Sequence, residues 1–128
     1  MRFLSLYKTP ERSTPPTQEE MCSMGKLIEE WMKSGKLIAT EGCMPTAQGA
    51  RVRIDGGKLT VSDGPFTEAK EVVGGFAILN APSKEAAIQF TKDFLQFMGG
   101  VGECELRQLY DFDPSQAGAG QQQEAAAR

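Results

Sequence analysis

The polar residues between positions 46 and 71, together with Arg107, are the part of the sequence best suited to chemistry. Asp63 and Glu68 could act as general acid or base if burial or a neighbouring group raised the pKa of either carboxyl group. Other side chains could bind a small polar or anionic ligand, because arginine holds a carboxylate through two hydrogen bonds and the rest supply a cation or a hydroxyl. These ligand-binding candidates are Arg51, Lys70, Arg107 and Thr46. Ion pairing within the structure is the competing interpretation for each.

The remaining residue types narrow the possible reactions. The chain contains no histidine, which excludes a Ser-His-Asp triad, a Cys-His pair and an imidazole metal ligand. Cys22, Cys43 and Cys104 are widely separated and form no CxxC motif, so we expect no metal site, no cofactor and reduced, mostly buried thiols. Cys43 would act as a nucleophile only beside a lysine, an arginine or a helix N-terminus.

The chain length suits one domain, and a cytoplasmic location is the default expectation. The 128 residues carry a net charge of −3. Because a protein that binds nucleic acid needs a basic face, no nucleic-acid partner is expected. No apolar run approaches the roughly 20 residues that span a bilayer, so no membrane partner is expected. The apolar stretch near the N-terminus is too short for a signal peptide.

Apolar periodicity and turn residues predict six strands and two helices. Strands are expected at 2–8, 36–41, 50–55, 58–62, 72–80 and 103–110, and helices at 17–35 and 83–97. The order β-α-β, hairpin, β-α-β matches an α+β, ferredoxin-like (split β-α-β) fold with an inserted β-hairpin. In that hairpin, Val52 and Ile54 are expected to point inward. Residues 113–128 lack large apolar side chains, and we expect a disordered tail there.

The first strand has apolar residues on both faces, with Leu4 and Leu6 on one and Phe3 and Tyr7 on the other. Two helices would cover one face of the sheet, and the sheet of a second copy would cover the other, which predicts a homodimer.

Apolar side chains recur at helical spacing in both predicted helices. In the second helix they form the expected buried stripe Ala86, Phe90, Phe94 and Phe97. In the first helix core packing is favoured and a ligand-binding face is the alternative; that stripe is Met21, Met24, Ile28, Trp31 and Met32.

The run DGPFTEAKEVVGGF, residues 63–76, combines a turn, a charge cluster and the start of a strand. Gly64 and Pro65 favour a rigid corner, because glycine permits unusual backbone angles and proline restricts its own φ. Phe66 is expected to anchor this corner in the core. Gly74 and Gly75 are expected to allow close packing of the following strand.

This run, with GARVR at 49–53 before it and an E-x-R strand at 105–107 after it, resembles the YCII-related, or DGPF-domain, family over about residues 1–112. The resemblance implies a dimeric α-β barrel of ferredoxin-like protomers, without a known reaction. It also implies a regulatory context, since some members are encoded with extracytoplasmic-function sigma factors. The YciI-like branch resembles an enzyme family with a His-Asp pair, which this chain cannot form.

Three functions follow as hypotheses. The favoured one is a dimeric protein that binds or senses a small ligand, with a link to sigma-factor regulation. The first alternative is a cofactor-independent enzyme that uses Asp63 or Glu68 as acid or base and an arginine to hold an anion. The second alternative is a structural or protein-interaction module. Fold alone does not choose among them.

Overall fold

The structure is a computed structural model, and it describes residues 1–111. The strands are β1 (Arg2–Thr9), β2 (Leu37–Gly42), β3 (Ala50–Asp55), β4 (Lys58–Asp63), β5 (Val72–Asn80) and β6 (Glu103–Gln108). The helices are α1 (Gln18–Lys33) and α2 (Lys84–Met98), and a 3₁₀ turn spans Thr46–Gln48. The predicted element order is confirmed, with boundaries within two residues. The tail predicted at 113–128 lies outside the described residues.

Four strands form one antiparallel sheet in the order β2-β5-β1-β6. This order is compatible with a ferredoxin-like α+β fold. β3 and β4 pair only with each other and make a separate two-stranded sheet. The chain within residues 1–111 therefore has a four-stranded body and a hairpin, which we call the arm (residues 50–63). No helix in this range is long and apolar enough to cross a membrane.

Local sequence signals explain where the helices begin. Thr17 Oγ1 accepts a hydrogen bond from the Glu20 backbone N–H at 3.1 Å, and the Glu20 carboxylate accepts one from the Thr17 N–H at 2.8 Å. This is the predicted capping box, which satisfies two N–H groups at the helix start. Ser83 caps α2 by accepting a hydrogen bond from the Ala86 N–H at 3.1 Å.

A tight two-residue turn connects the two strands of the arm. Gly56 and Gly57 have positive φ angles of 58° and 86°, as a two-residue hairpin turn of the favoured type requires. Its register pairs Val52 with Val61 and Ile54 with Leu59. The hairpin is confirmed, but the expected inward direction of Val52 and Ile54 is wrong: both are exposed. The alternation is real, yet the arm lies away from the core of its own chain.

Both helices pack on one face of the body sheet. The buried core consists of Phe3, Leu37, Leu79, Ala81 and Ala87, with Ile28, Trp31 and Phe90 packed against it. The opposite sheet face carries Leu4, Leu6, Phe76 and Ile78, which register places side by side and which stay partly exposed. We call these four residues the open face.

Some predicted burials are wrong. Met21 and Met32 of α1 and Phe97 of α2 are exposed. Their spacing fits the helical period, but the period alone does not show whether a neighbouring element covers a side chain. Cys22 and Cys43 are also exposed, and all three cysteines are free thiols. Cys104 alone is partly buried, and burial raises the pKa of its thiol.

Candidate functional site

A cleft of about 280 Å³ lies between the helices and the body sheet. Ligand pockets in proteins usually span about 300–1,000 Å³, so this cleft suits a small ligand. Most of its lining is apolar or aromatic: Tyr7, Met24, Leu27, Ile28, Trp31, Leu37, Ala77, Leu79, Phe90, Phe94 and Met98. Several of these side chains also pack against the core, so the cleft borders the core directly.

Few polar groups face this cleft with free hydrogen-bonding capacity. The Thr40 hydroxyl donates to the Phe76 carbonyl and the Thr91 hydroxyl to the Ala87 carbonyl, both at 2.8 Å. The Tyr7 hydroxyl has no hydrogen-bonding partner within residues 1–111. The Tyr7 ring meets Phe94 edge to face, with centroids 5.4 Å apart. Tyr7, which lines the cleft together with the polar residues Ser5 and Glu41, can therefore give a bound molecule a directed hydrogen bond.

Two aromatic residues of the cleft lining, Trp31 and Phe90, lie beside a cation. The rings of Trp31 and Phe90 lie 6.2 Å apart. The Lys36 ammonium lies 5.7 Å from the Trp31 ring centroid and 4.9 Å from that of Phe90. Both distances allow cation–π attraction. This contact holds the two rings in place beside the cleft.

Two glycines border the cleft where β5 begins, near a register shift after Tyr7. A Cβ on Gly74 would lie 3.4 Å from the Tyr7 ring, and a Cβ on Gly75 would lie 2.9 Å from the Glu41 carbonyl oxygen. Side chains at these positions would crowd the neighbouring strands. The two glycines thus let β5 lie close to both neighbours and leave space beside Tyr7.

The DGPF residues form a corner directly after β4, and Gly64 is its tightest point. The Gly64 N–H donates to the Gly49 carbonyl at 2.9 Å. A Cβ on Gly64 would lie only 1.6 Å from the Thr46 carbonyl oxygen, so the backbone leaves no space for a side chain there. The peptide bond from Gly64 to Pro65 is cis.

Thr46 connects this corner to the loop after β1. The Thr46 hydroxyl accepts a hydrogen bond from the Phe66 N–H at 3.0 Å and donates to Glu11 at 2.9 Å. The Thr46 backbone N–H also donates to the Glu11 carboxylate. Glu11 was not predicted as a site residue, because a single acid in a proline-rich loop carries no periodic or motif signal. The geometry gives Thr46 a structural connection between two loops.

Arg51 places the arm against the corner. Its guanidinium lies 3.8 Å from the Phe66 ring centroid and pairs with the Glu68 carboxylate at 2.6 Å. This hydrogen bond from Arg51 holds the pKa of Glu68 below its usual range. A lowered pKa makes the carboxylate a weaker base than an isolated one. Both side chains are substantially exposed, so the pair adds little to stability.

The other predicted site residues are spread more widely. Asp63 and Lys70 are exposed near the corner. Arg107 lies on β6 and contacts Glu105 at 3.4 Å, and Glu105 also pairs with Lys8 at 2.8 Å. The structure therefore brings Thr46, Arg51 and Glu68 to the corner but places Arg107 elsewhere.

The cleft and the predicted polar residues occupy different places. The cleft lining includes Gly74 and Gly75 of the DGPF run but none of the proposed acids, bases or ligand-binding groups. The α1 stripe, for which a ligand-binding face was the alternative interpretation, contributes Met24, Ile28 and Trp31 to the lining of this cleft. No cluster of three or more potential metal ligands occurs within residues 1–111.

Fold and cleft together define a class of protein: a small α+β protein with two helices on an antiparallel sheet and an apolar cleft between the two layers. A family model for the YCII-related domain matches residues 1–112, and the chain belongs to that family. The predicted family is thereby confirmed. An uncharacterized protein of Rhizobium meliloti (strain 1021) is 29% identical over 96 residues, which cover 75% of this chain and 77% of that protein.

Proposed function

We propose that this protein is a homodimer that binds a small, largely apolar molecule in the cleft between its helices and its sheet, and that it acts as a sensor. The cleft carries this proposal: about 280 Å³ bordered mainly by apolar and aromatic side chains, with the Tyr7 hydroxyl among its few polar groups. Such a lining favours an apolar ligand over the polar or anionic one predicted from sequence. Tyr7 would bind the ligand's polar group.

The sequence offers an internal reporter for this test. Trp31 is the single tryptophan of the chain and lines the cleft. Toluene, p-cresol and octanoic acid serve as probes, because they present a purely apolar molecule, a phenol and a carboxylate. Saturable changes in Trp31 fluorescence, with a rise in thermal midpoint, are expected for at least one probe. The ranking of the three reports the ligand chemistry.

A matched pair of substitutions locates the binding site. Ala77 lines the cleft, and Ala77→Leu places a larger side chain within it. Ala50 is exposed on the arm, so Ala50→Leu is the control. We expect at least a tenfold loss of probe affinity in Ala77→Leu and no change in Ala50→Leu, with circular dichroism confirming that both fold. Equal affinity in the two variants, or no probe binding by the native protein, would contradict the proposal.

The enzyme hypothesis is separable from ligand binding. Its acid–base residues are Asp63 and Glu68, and the lowered pKa of Glu68 does not favour a base there. The compounds that bind are therefore also assayed for turnover. Turnover that disappears in Asp63→Asn while binding persists would replace the sensor by an enzyme.

The dimer is proposed to form through the open face. Leu4, Leu6, Phe76 and Ile78 form an apolar centre, and the Lys8–Glu105 ion pair lies beside them. An apolar centre with a polar rim is the usual composition of a protein interface. Two such faces related by a two-fold axis would form the barrel that the family resemblance implies. Light scattering at micromolar concentration should give twice the chain mass, and a monomeric mass would contradict the dimer.

A further inference from the structure

The arm presents four exposed aliphatic side chains on one face. Val52, Ile54, Leu59 and Val61 are each between 65% and 69% exposed. They form two adjacent cross-strand pairs, Val52 with Val61 and Ile54 with Leu59. Single exposed aliphatic residues are common in proteins, but a contiguous group of this kind indicates an interaction surface.

The opposite face of the arm is already used within the chain. Arg51 packs on Phe66 and pairs with Glu68, and this contact fixes the base of the arm against the corner. Successive residues of a strand point to opposite faces. The aliphatic face therefore points away from the surface that Arg51 contacts.

We propose that the aliphatic face of the arm binds a second copy of this chain, arm against arm. An isologous contact needs only a patch that complements itself. The arm meets this condition, because aliphatic side chains of similar size occupy all four positions. The charged residues at its tip, Asp55 and Lys58, carry opposite signs. Two arms can therefore approach without net repulsion between their tips.

The exposed aliphatic area of the arm is smaller than a stable interface needs, so we expect the arms to assist another contact. A fully buried aliphatic side chain of this size removes about 60–120 Å² from water. Four side chains that are two-thirds exposed thus offer roughly 160–320 Å² per arm. A stable interface of standard size buries about 800 Å² per partner. The arm contact therefore rests on the homodimer proposed above, in which the open face adds to the buried area of the same dimer.

Sedimentation equilibrium tests the arm with three variants. Ile54→Asp places a charge on the aliphatic face, and Thr60→Asp places the same charge on the opposite face of the same arm. Leu6→Asp alters the open face. All three positions lie on the surface or the open face, and circular dichroism and thermal unfolding check that the variants fold. We expect Ile54→Asp to weaken the dimer at least tenfold and Thr60→Asp to change its dissociation constant less than threefold.

The three variants distinguish a dimer contact through the arm from one through the open face alone. A native dimer that Leu6→Asp dissociates and Ile54→Asp leaves unchanged would overturn the arm contact and preserve the homodimer. Equal weakening by Ile54→Asp and Thr60→Asp would also overturn it, since the effect would then be one of added charge. A monomeric native protein would overturn both. The cleft-binding assay on Ile54→Asp is independent, because none of the four arm residues lines the cleft.

Discussion

Substitution of Gly64 by alanine tests whether the DGPF corner is architecture or chemistry. An alanine Cβ would lie 1.6 Å from the Thr46 carbonyl oxygen, 2.6 Å from the Thr46 carbonyl carbon and 3.3 Å from the Ala47 nitrogen. The first two distances are far shorter than any ordinary contact, and all three atoms belong to the backbone. Since backbone atoms cannot rotate away as a side chain can, the corner has to move or open.

The expected cost follows from these contacts. Overpacking in a tight site costs about 1–3 kcal/mol. Displacement of the corner also threatens two hydrogen bonds, from the Gly64 N–H to Gly49 and from the Phe66 N–H to Thr46, at about 1 kcal/mol each. Alanine also lowers the conformational entropy of the unfolded chain, which offsets about 0.4–1 kcal/mol of this loss. The free energy of unfolding should fall by about 2–5 kcal/mol, out of the roughly 5–15 kcal/mol typical of a domain.

Urea unfolding followed by circular dichroism measures this loss. Gly25→Ala is the matched control, because Gly25 is exposed within α1 and a Cβ there meets nothing within 4 Å. Alanine is better than glycine in a helix interior, so the control should gain about 0.5–1 kcal/mol. A loss below about 1 kcal/mol in Gly64→Ala would refute the rigid-corner reasoning. The motif would then need a functional explanation.

Three further predictions concern caps, loops and pH. Thr17→Ala should lower the free energy of unfolding by about 1 kcal/mol through loss of the N-cap. Ser23→Ala on the exposed face of α1 should leave it unchanged or slightly higher, because alanine has the higher helix propensity; equal losses in urea unfolding would contradict the capping box. Thr46→Val should cost about 1 kcal/mol, because it removes the part-buried hydrogen bond from the Phe66 N–H and an exposed one to Glu11; an unchanged urea midpoint would refute that connection. Arg51 lowers the pKa of Glu68, so the ion pair stabilises the folded state above the ordinary carboxyl pKa of about 4.3, and this stabilisation is lost as pH falls through the lower pKa of the folded state. Arg51→Met should therefore lose less free energy of unfolding than the native protein between about pH 5 and pH 3. An identical loss in the two proteins would count against the ion pair.

Elements of this fold whose signals are local were predictable from the sequence. Thr17 and Glu20 are three residues apart, and the capping box they form requires no knowledge of the rest of the chain. Gly56 and Gly57 likewise fix the arm's turn by their own backbone freedom. The antiparallel α+β arrangement then follows from the order of the elements.

Features that depend on distant neighbours were predicted less well. The alternation of Val52 and Ile54 correctly predicts a strand, but alternation does not show whether a core lies beside that strand. Period alone also does not distinguish Met24, which lines the cleft, from Met21, which is exposed. The cleft exists because the helix layer and the sheet do not close completely, and that spacing depends on both layers together.

The position of the DGPF corner relative to the cleft bears on what a family match means. Gly64 and Phe66 join the arm to the turn at Thr46, whereas Gly74 and Gly75 lie at the cleft and allow close strand packing. Both groups of residues position other residues, and neither supplies a reactive group. A match to the motif therefore identifies a scaffold, and under the binding proposal above the cleft lining would determine the ligand. Tyr7→Phe tests this division: it should leave stability nearly unchanged and reduce affinity for p-cresol about tenfold more than for toluene, since one hydrogen bond is worth about 1 kcal/mol or somewhat more. Equal losses for both probes would place the polar contact elsewhere.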